Sequence, residues 1–280
     1  MSMGEVSGAS FTLGSAFRPG TIGDAAVARM VAVLDEQDGA PSIERLRAWA
    51  LAAGDVRRGE LCVDVGSGTG TMTRRLAGLA GPDGRAIGIE PNGMLREVAR
   101  VRAAEVGSAA EFCQGLATEI PLPDGSADVL WCERVLQHVP DAGAAVAEFA
   151  RVLRPGGRAL LLDSDHESRV ESDVDPAVSR AMTTAFMGQL ANPTAARHIP
   201  RQAIEAGLHV DPDVGSSALV LPQEVLRDSH LSRLSAEQAV ADGLITAEQA
   251  EAALAALAEA ARHGWAFWAV TVFGFVCRKD

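Results

Sequence analysis

Leu61-Cys62-Val63-Asp64-Val65-Gly66-Ser67-Gly68-Thr69-Gly70 is the stretch that decides how this chain folds. Its apolar-rich first half predicts a short buried strand. Three glycines in the next five positions predict a turn into a helix over Thr71–Ala80. The same alternation continues outward, from about Glu60 to Asp165. Apolar runs at Arg85–Glu90, Ala110–Gln114, Ala127–Cys132 and Arg158–Asp163 alternate with helical stretches near Met94–Ala104 and Ala142–Val152. Turn signals punctuate them at Gly81-Pro82-Asp83-Gly84, Pro123-Asp124-Gly125 and Arg154-Pro155-Gly156-Gly157. Strand–helix alternation of this kind means βαβ units, so the class is α/β, with a parallel sheet covered on both faces.

The flanks are mostly helical. Helices are predicted over Ile22–Leu34 and Ser42–Ala53 before the core, and over Asp175–Leu190 and Arg201–Ala206 after it. Two more, Ala236–Ala241 and Ala247–His263, follow capping-type starts at Ser235 and Thr246. Two β-like runs remain, His209–Leu221 and Ala266–Cys277.

Glycines in the loop let a ligand approach the backbone without a Cβ in the way. Glu90 closes the next strand, where an acidic side chain can take both ribose hydroxyls of an adenosine. A dinucleotide would want G-x-G-x-x-G, with its pyrophosphate on the helix N-terminus. Here the spacing is G-x-G-x-G, and Asp64 stands two residues before the first glycine. A carboxylate there repels pyrophosphate and suits a cationic amino-acid group or a sulfonium. That favours S-adenosylmethionine.

From about Val56 to Arg158 the sequence resembles the class I S-adenosylmethionine-dependent methyltransferases, in the small-molecule branch that includes the ubiquinone/menaquinone-biosynthesis enzymes. Val63 to Gly70 matches the first motif of that family, and Gly88-Ile89-Glu90-Pro91-Asn92-Gly93-Met94 matches its ribose-acid motif. Ala127 to His138 matches the fourth-strand motif, and Arg151 to Gly157 the turn before the fifth strand. Leu116-Ala117 stands where the family has an Asp-Ala against adenine, so the adenine amino group must find its partner on the backbone or elsewhere. The resemblance implies a Rossmann-like seven-stranded sheet, parallel with an antiparallel last strand, flanked by helices and carrying a helical lid. It implies one domain over 1–280: a helical cap (1–55), a cofactor-binding core (56–165), lid helices (166–207) and the last two strands with intervening helices (208–280). The cofactor set is Asp64, Gly66, Ser67, Gly68, Gly70, Glu90, Pro91, Met94, Leu116, Ala117 and Glu133. The product would be S-adenosylhomocysteine.

Methyl transfer needs alignment, exclusion of water and sometimes removal of a proton. Candidates therefore belong at the C-terminal ends of strands four and five. Glu133 would border the cofactor, and Arg134 would orient the substrate or the cofactor's carboxylate. His138 is the candidate base, because an unperturbed imidazole titrates near neutral pH. Asp165 is a second candidate at the end of strand five. His166, Arg197 and Arg201 are candidate substrate contacts, the two arginines lying four apart on one face if helical. Glu167, Glu171, Asp173 and Asp175 read as a solvated helix start. Trp265 and Trp268 read as core. Within Asp163-Ser164-Asp165-His166, one residue could be a base or two carboxylates could hold a divalent ion, but no second compact ligand cluster supports a metal. O- or N-methylation with a base and methylation of an electron-rich carbon both stay open. The rivals are a methyltransferase fold reused as a cyclase or binding module, and an NAD(P) oxidoreductase.

Composition narrows the partners. The 280 residues are 48% apolar and 22% charged, as in an ordinary globular chain. A net charge of −12, with Lys279 the only lysine, argues against nucleic acid. There is no tyrosine, which excludes a phenol as acid or base. Cys62, Cys113, Cys132 and Cys277 show no CxxC spacing and read as buried thiols. Met1–Ser10 has no signal-peptide pattern, and the longest apolar stretch, Trp265–Cys277, is too short to span a membrane. The expectation is a cytoplasmic enzyme with a small-molecule substrate and no membrane partner, with room for a homodimer.

Overall fold

The computed structural model describes residues 24–280. The expectations for Met1–Ser10 and for the start of the first helix at Ile22 lie outside them. Helices α1 (Asp24–Asp38) and α2 (Pro41–Gly54) precede β1 (Leu61–Val65), α3 (Thr71–Ala80), β2 (Arg85–Ile89) and α4 (Gly93–Glu105). Then come β3 (Glu111–Cys113), β4 (Ala127–Glu133), α5 (Ala142–Val152) and β5 (Leu153–Glu171). The last part holds α6 (Pro176–Gly188), α7 (Ile199–Glu205), β6 (His209–Val210), β7 (Gly215–Val220), α8 (Gln223–Leu226), α9 (His230–Ala241), α10 (Ala247–His263) and β8 (Trp268–Arg278).

The sheet runs β3-β2-β1-β4-β5-β8-β6, with β7 also on β8. Strands β1 to β5 pair in parallel, and β8 is antiparallel to β5, β6 and β7. Alternate residues of one strand feed opposite cores. Cys62, Val129, Trp131 and Leu160 join the core under α2, α6, α9 and α10, whereas Val63, Leu130, Cys132 and Leu161 join the one under α5 and α7. That two-sided burial is why the strands read as nearly continuous apolar runs. Helix starts are fixed locally. Asn92 accepts from the N–H groups of Met94 and Leu95, Asp175 from Ala177 and Val178, and Thr246 forms a reciprocal cap with Gln249.

Three expectations change. The run His209–Leu221 is two strands, so the sheet has eight: Asp211-Pro212-Asp213 interrupts it, and β6 and β7 pair with different ends of β8. Residues 166–171 continue β5 instead of opening the lid; Val170 and Glu171 pair with Ala269 and Trp268 past an irregularity after Asp165. Glu171 is accordingly no solvated helix start, for its side chain is buried 3.6 Å from that of Arg169. The helix expected from Ser235 begins at His230 on a Ser229 cap, and Ser235 Oγ donates to the Leu231 carbonyl inside it.

Candidate functional site

The C-terminal edges of β1, β2, β4 and β5, with the start of β8, open onto one cavity of about 450 Å³, within the range of small-molecule sites. Following the strand order, Glu90 of the β2 side lies at one end, and Trp268 and Val270 of β8 at the other.

After β1 the chain turns through Gly66, Gly68 and Gly70 at φ of 70°, 52° and 78°. A Cβ on Gly66 would run into Val135, so this glycine keeps the loop against the segment that follows β4. Gly68 N–H donates to Glu90 Oε2 at 3.0 Å, and Asn92 N–H donates to Oε1 at 2.9 Å. Burial raises the pKa of Glu90, and these two N–H groups work against that rise. Each oxygen keeps lone-pair capacity for a ligand hydroxyl. Asp64 accepts from Thr73 Oγ1 at 2.6 Å, and burial pushes its carboxyl up to about 7. Ser67 Oγ is buried without a partner among the described residues. The segment Gly115–Thr118 closes this end, with Leu116 and Ala117 on the lining.

The cap contributes charge. Arg47 of α2 grips Glu133 with a fork, Nε to Oε2 at 2.8 Å and Nη2 to Oε1 at 3.0 Å, and reaches Asp38 of α1 at 2.6 Å. Arg134 Nη2 also donates to Asp38, at 3.3 Å. Burial opposes charge on Asp38, but Arg47 and Arg134 outweigh it and hold its pKa low. Arg134 itself has φ of 55°, in the left-handed region that side chains avoid, and its buried Nη1 has no partner among the described residues. The neighbouring chain therefore has to hold this residue in a conformation that costs on the order of 1–3 kcal/mol.

Beyond Arg134 the chain makes a 3-10 turn, Leu136–His138. Asp163 Oδ2 accepts from the Gln137 N–H at 3.3 Å, and Asn192 Nδ2 donates to the carbonyls of Leu136 and Val139. Burial pushes Asp163 up to about 7. The side chain of Gln137 lies between two histidines, 3.0 Å from His138 Nε2 and 2.7 Å from His166 Nε2. Burial pushes both imidazoles down to about 3, so both are neutral at physiological pH. Apolar walls from Phe186, Leu219, Leu231, Trp268 and Val270 complete this end.

The structure thus brings together Asp64, Gly66, Ser67, Gly68, Glu90, Pro91, Leu116, Ala117, Glu133, Arg134, His138 and His166 on one lining. Five expected residues lie elsewhere. Gly70 starts α3, where a Cβ would meet Phe112 at 2.7 Å, so it serves packing on β3. Met94 is 40% exposed on α4, because the Asn92 cap turns its position outward. Asp165 turns away to take both Nε and Nη2 of Arg197, at 2.7 and 2.9 Å. Arg197 is thereby spent on Asp165 and Glu167, and Arg201 sits on the surface of α7 paired with Glu205. The two arginines share no helix face, since Arg197 belongs to a separate 3-10 turn, Ala195–His198. Arg201→Ala is therefore expected to leave the melting temperature and ligand affinity at wild-type values, checked by thermal unfolding and calorimetry. Trp268 is core and cavity wall at once, whereas Trp265 is 60% exposed and stacks on His263.

Arg47, Asp38 and Gln137, which carried no expectation, also line the cavity, as does Ser164 at the end of the Asp163–Asp165 run. For Arg47 a signal existed: it continues the buried stripe of Ile43, Leu46 and Ala50, where an arginine demands a buried partner. Gln137 sits beside His138 in the motif already quoted, but nothing local marks which way its amide points. Among the described residues, no group of three or more His, Cys, Asp and Glu side chains is placed to hold a metal ion. Cys62, Cys132 and Cys277 are buried free thiols and Cys113 is half-buried. No helix of the described chain is long and apolar enough to cross a membrane.

Residues 63–161 match the protein family described as "Methyltransferase domain". The chain is 37% identical over 192 residues to an uncharacterized 37.1 kDa protein in transposon TN4556 of Streptomyces fradiae, covering 68% of this chain and 55% of that protein. It is 33% identical over 142 residues to the ubiquinone/menaquinone biosynthesis C-methyltransferase UbiE of Hahella chejuensis, covering 50% of this chain and 55% of that one. The chain thus spans about half the length of the curated relatives it matches. In structure it is similar to phosphoethanolamine N-methyltransferase 2 of Haemonchus contortus, solved with S-adenosylhomocysteine, at a TM-score of 0.54 and 16% identity, covering 85% of this chain and 52% of that one. It is also similar to the [4+2]-cyclase SpnF at a TM-score of 0.53 and 21% identity, covering 84% and 81%. At such identities the likeness is one of fold.

Proposed function

We propose, for a chain whose residues 63–161 carry a methyltransferase domain, that it transfers a methyl group from S-adenosylmethionine to a small, uncharged and largely apolar acceptor. The observation that carries this is the composition of one cavity. A glycine loop, an oriented carboxylate and a second buried acid bonded to Thr73 stand at one end, and an apolar chamber with two neutral histidines stands at the other.

The donor set fits the cofactor. Glu90, with both oxygens steered by backbone N–H groups, takes the ribose hydroxyls. Asp64 faces the cationic amino-acid portion, and Arg134 Nη1 and Ser67 Oγ, which have no partner among the described residues, are left to meet its carboxylate and remaining polar groups. When bound, S-adenosylmethionine supplies an electrophilic methyl group, and the electron pair of the S–CH₃ bond stays on sulfur. The chain excludes water with α1 and α2, orients the acceptor on Phe186, Leu231 and Trp268, and offers histidine for its proton. With Arg197 and Arg201 outside the cavity and Arg134 tied to Asp38, an anionic acceptor finds no dedicated cation at the far end among the described residues. The acidic charge of the chain keeps nucleic acid out of this reading as well.

The test is ligand stabilisation. S-adenosylhomocysteine at a hundred times its Kd should add about 2.7 kcal/mol to the unfolding free energy and raise the melting temperature. NADH and NADPH should add nothing. A rise with NADPH and none with S-adenosylhomocysteine would overturn the proposal in favour of an oxidoreductase.

A further inference from the structure

Resting on the methyl-transfer reading above, we infer that His166 is the side chain that takes the acceptor's proton. Gln137 is the positioning residue that gives His166 that role and denies it to His138. The inference comes from hydrogen-bond polarity alone. The Gln137 side-chain nitrogen lies 3.2 Å from the carbonyl oxygen of Arg134, which can only accept. That contact fixes the amide: its NH₂ faces Arg134 and His138, and its oxygen faces His166. His138 Nε2, 3.0 Å from the NH₂, must accept, so its lone pair is occupied and its proton sits on Nδ1. His166 Nε2, 2.7 Å from the amide oxygen, must donate, so its proton sits on Nε2 and its lone pair on Nδ1. One amide thus holds two neutral histidines in opposite tautomers, and only that of His166 leaves the basic nitrogen unused by Gln137.

The surroundings hold this arrangement. The Gln137 backbone is gripped by Asp163 Oδ2 at 3.3 Å and by the Asn192 N–H on its carbonyl at 2.9 Å. The His166 backbone N–H donates to the Pro193 carbonyl at 2.9 Å, and its ring meets Phe186 at 5.0 Å between centroids. Asn192-Pro193 therefore ties both ends of the relay together. Both imidazoles and Gln137 line the cavity. The step balances as follows. The acceptor's X–H bond breaks, its electron pair forms the bond to the incoming methyl carbon, and the proton goes to Nδ1 of His166. The resulting imidazolium still donates Nε2–H to Gln137, and the sulfonium charge lost on transfer reappears there until the proton leaves to solvent.

The test uses the full chain with ¹⁵N-labelled histidine, saturated with S-adenosylhomocysteine, and reads ring tautomers from long-range ¹H–¹⁵N spectra. The expected result is Nδ1–H for His138 and Nε2–H for His166. In Gln137→Glu a carboxylate accepts on both sides, so His138 gains a proton on Nε2 while His166 keeps its own. A purely structural glutamine would not move that signature. Diethyl pyrocarbonate, which attacks the free imidazole lone pair, should modify His166 at least about tenfold faster than His138. In turnover with a panel of small neutral phenols, His166→Ala should lower kcat by about 100-fold or more, and His138→Ala by less than tenfold. Reversed tautomers, faster modification of His138, or wild-type kcat in His166→Ala would overturn the assignment. Loss of S-adenosylhomocysteine binding by the wild-type chain would instead overturn the methyl-transfer reading on which it rests.

Discussion

Replacing Arg47 by methionine is expected to lower the unfolding free energy by about 3–5 kcal/mol, the usual cost of stranding the partner of a buried ion pair. Arg47 is 2% exposed, and its fork is the link between α2 and the end of β4. Burial works against its charge, and Glu133 and Asp38 more than offset that, so the guanidinium is held charged. Methionine fills much of the volume but, among the described residues, leaves Glu133 with only the 3.7 Å approach of Arg134. Arg47→Lys should lose less, keeping the charge without the two-pronged geometry. The double variant Arg47→Met, Glu133→Gln should recover part of the loss, because it removes the stranded carboxylate. Equilibrium urea unfolding measures all three. A loss below about 1 kcal/mol in Arg47→Met would mean that the cluster is open to water and behaves as a surface pair.

Asp64→Asn is expected to weaken S-adenosylmethionine binding by about 10–100-fold at pH 8, the scale of one charge-assisted contact. The pH dependence carries the sign. Burial first, opposed by the Thr73 hydroxyl, places the Asp64 carboxyl at about 7, so much of it is protonated at neutral pH. A cationic ligand favours the carboxylate, so binding lowers that pKa. Affinity should rise with pH through about 7 and level off above it; below, it should fall by about tenfold per unit. The fold alone shows the opposite trend. A carboxyl whose folded pKa exceeds its unfolded value of 3.8 costs stability as pH climbs from about 4 to about 7. Calorimetric titration at pH 6, 7 and 8 checks the binding limb. Asp64→Asn should flatten it, and a slope unchanged in that variant would remove Asp64 from the cofactor contact.

Asp64 and Glu90 were legible because they belong to short segments whose geometry is local. A strand ending at Val65 and a loop of three glycines fix where the Asp64 carboxylate lies, and a second strand ending at Ile89 does the same for Glu90. The far end of the cavity was much less legible. Arg197 and Arg201 looked paired by spacing, yet a change from 3-10 turn to α-helix separates them, and Asp165 claims the first. Residues 166–171 looked like the solvated start of a helix. Their backbone instead finds partners on β8, and a buried arginine accompanies the buried Glu171. No window of sequence contains both strands of that pair.

By itself, then, the sequence determined the βα alternation, the glycine turn, the helix caps and the place of two acids at the glycine-loop end of the cavity. Backbone dihedrals, apolar periodicity and capping are decided within a few residues of chain. Only the tertiary structure decided that Arg47 meets Glu133 86 residues away, and that Gln137 joins His138 to His166. It also split the sixth strand on the edge of β8. Those are choices among partners distant in sequence, made by packing and by the cost of leaving a buried donor or charge unmatched.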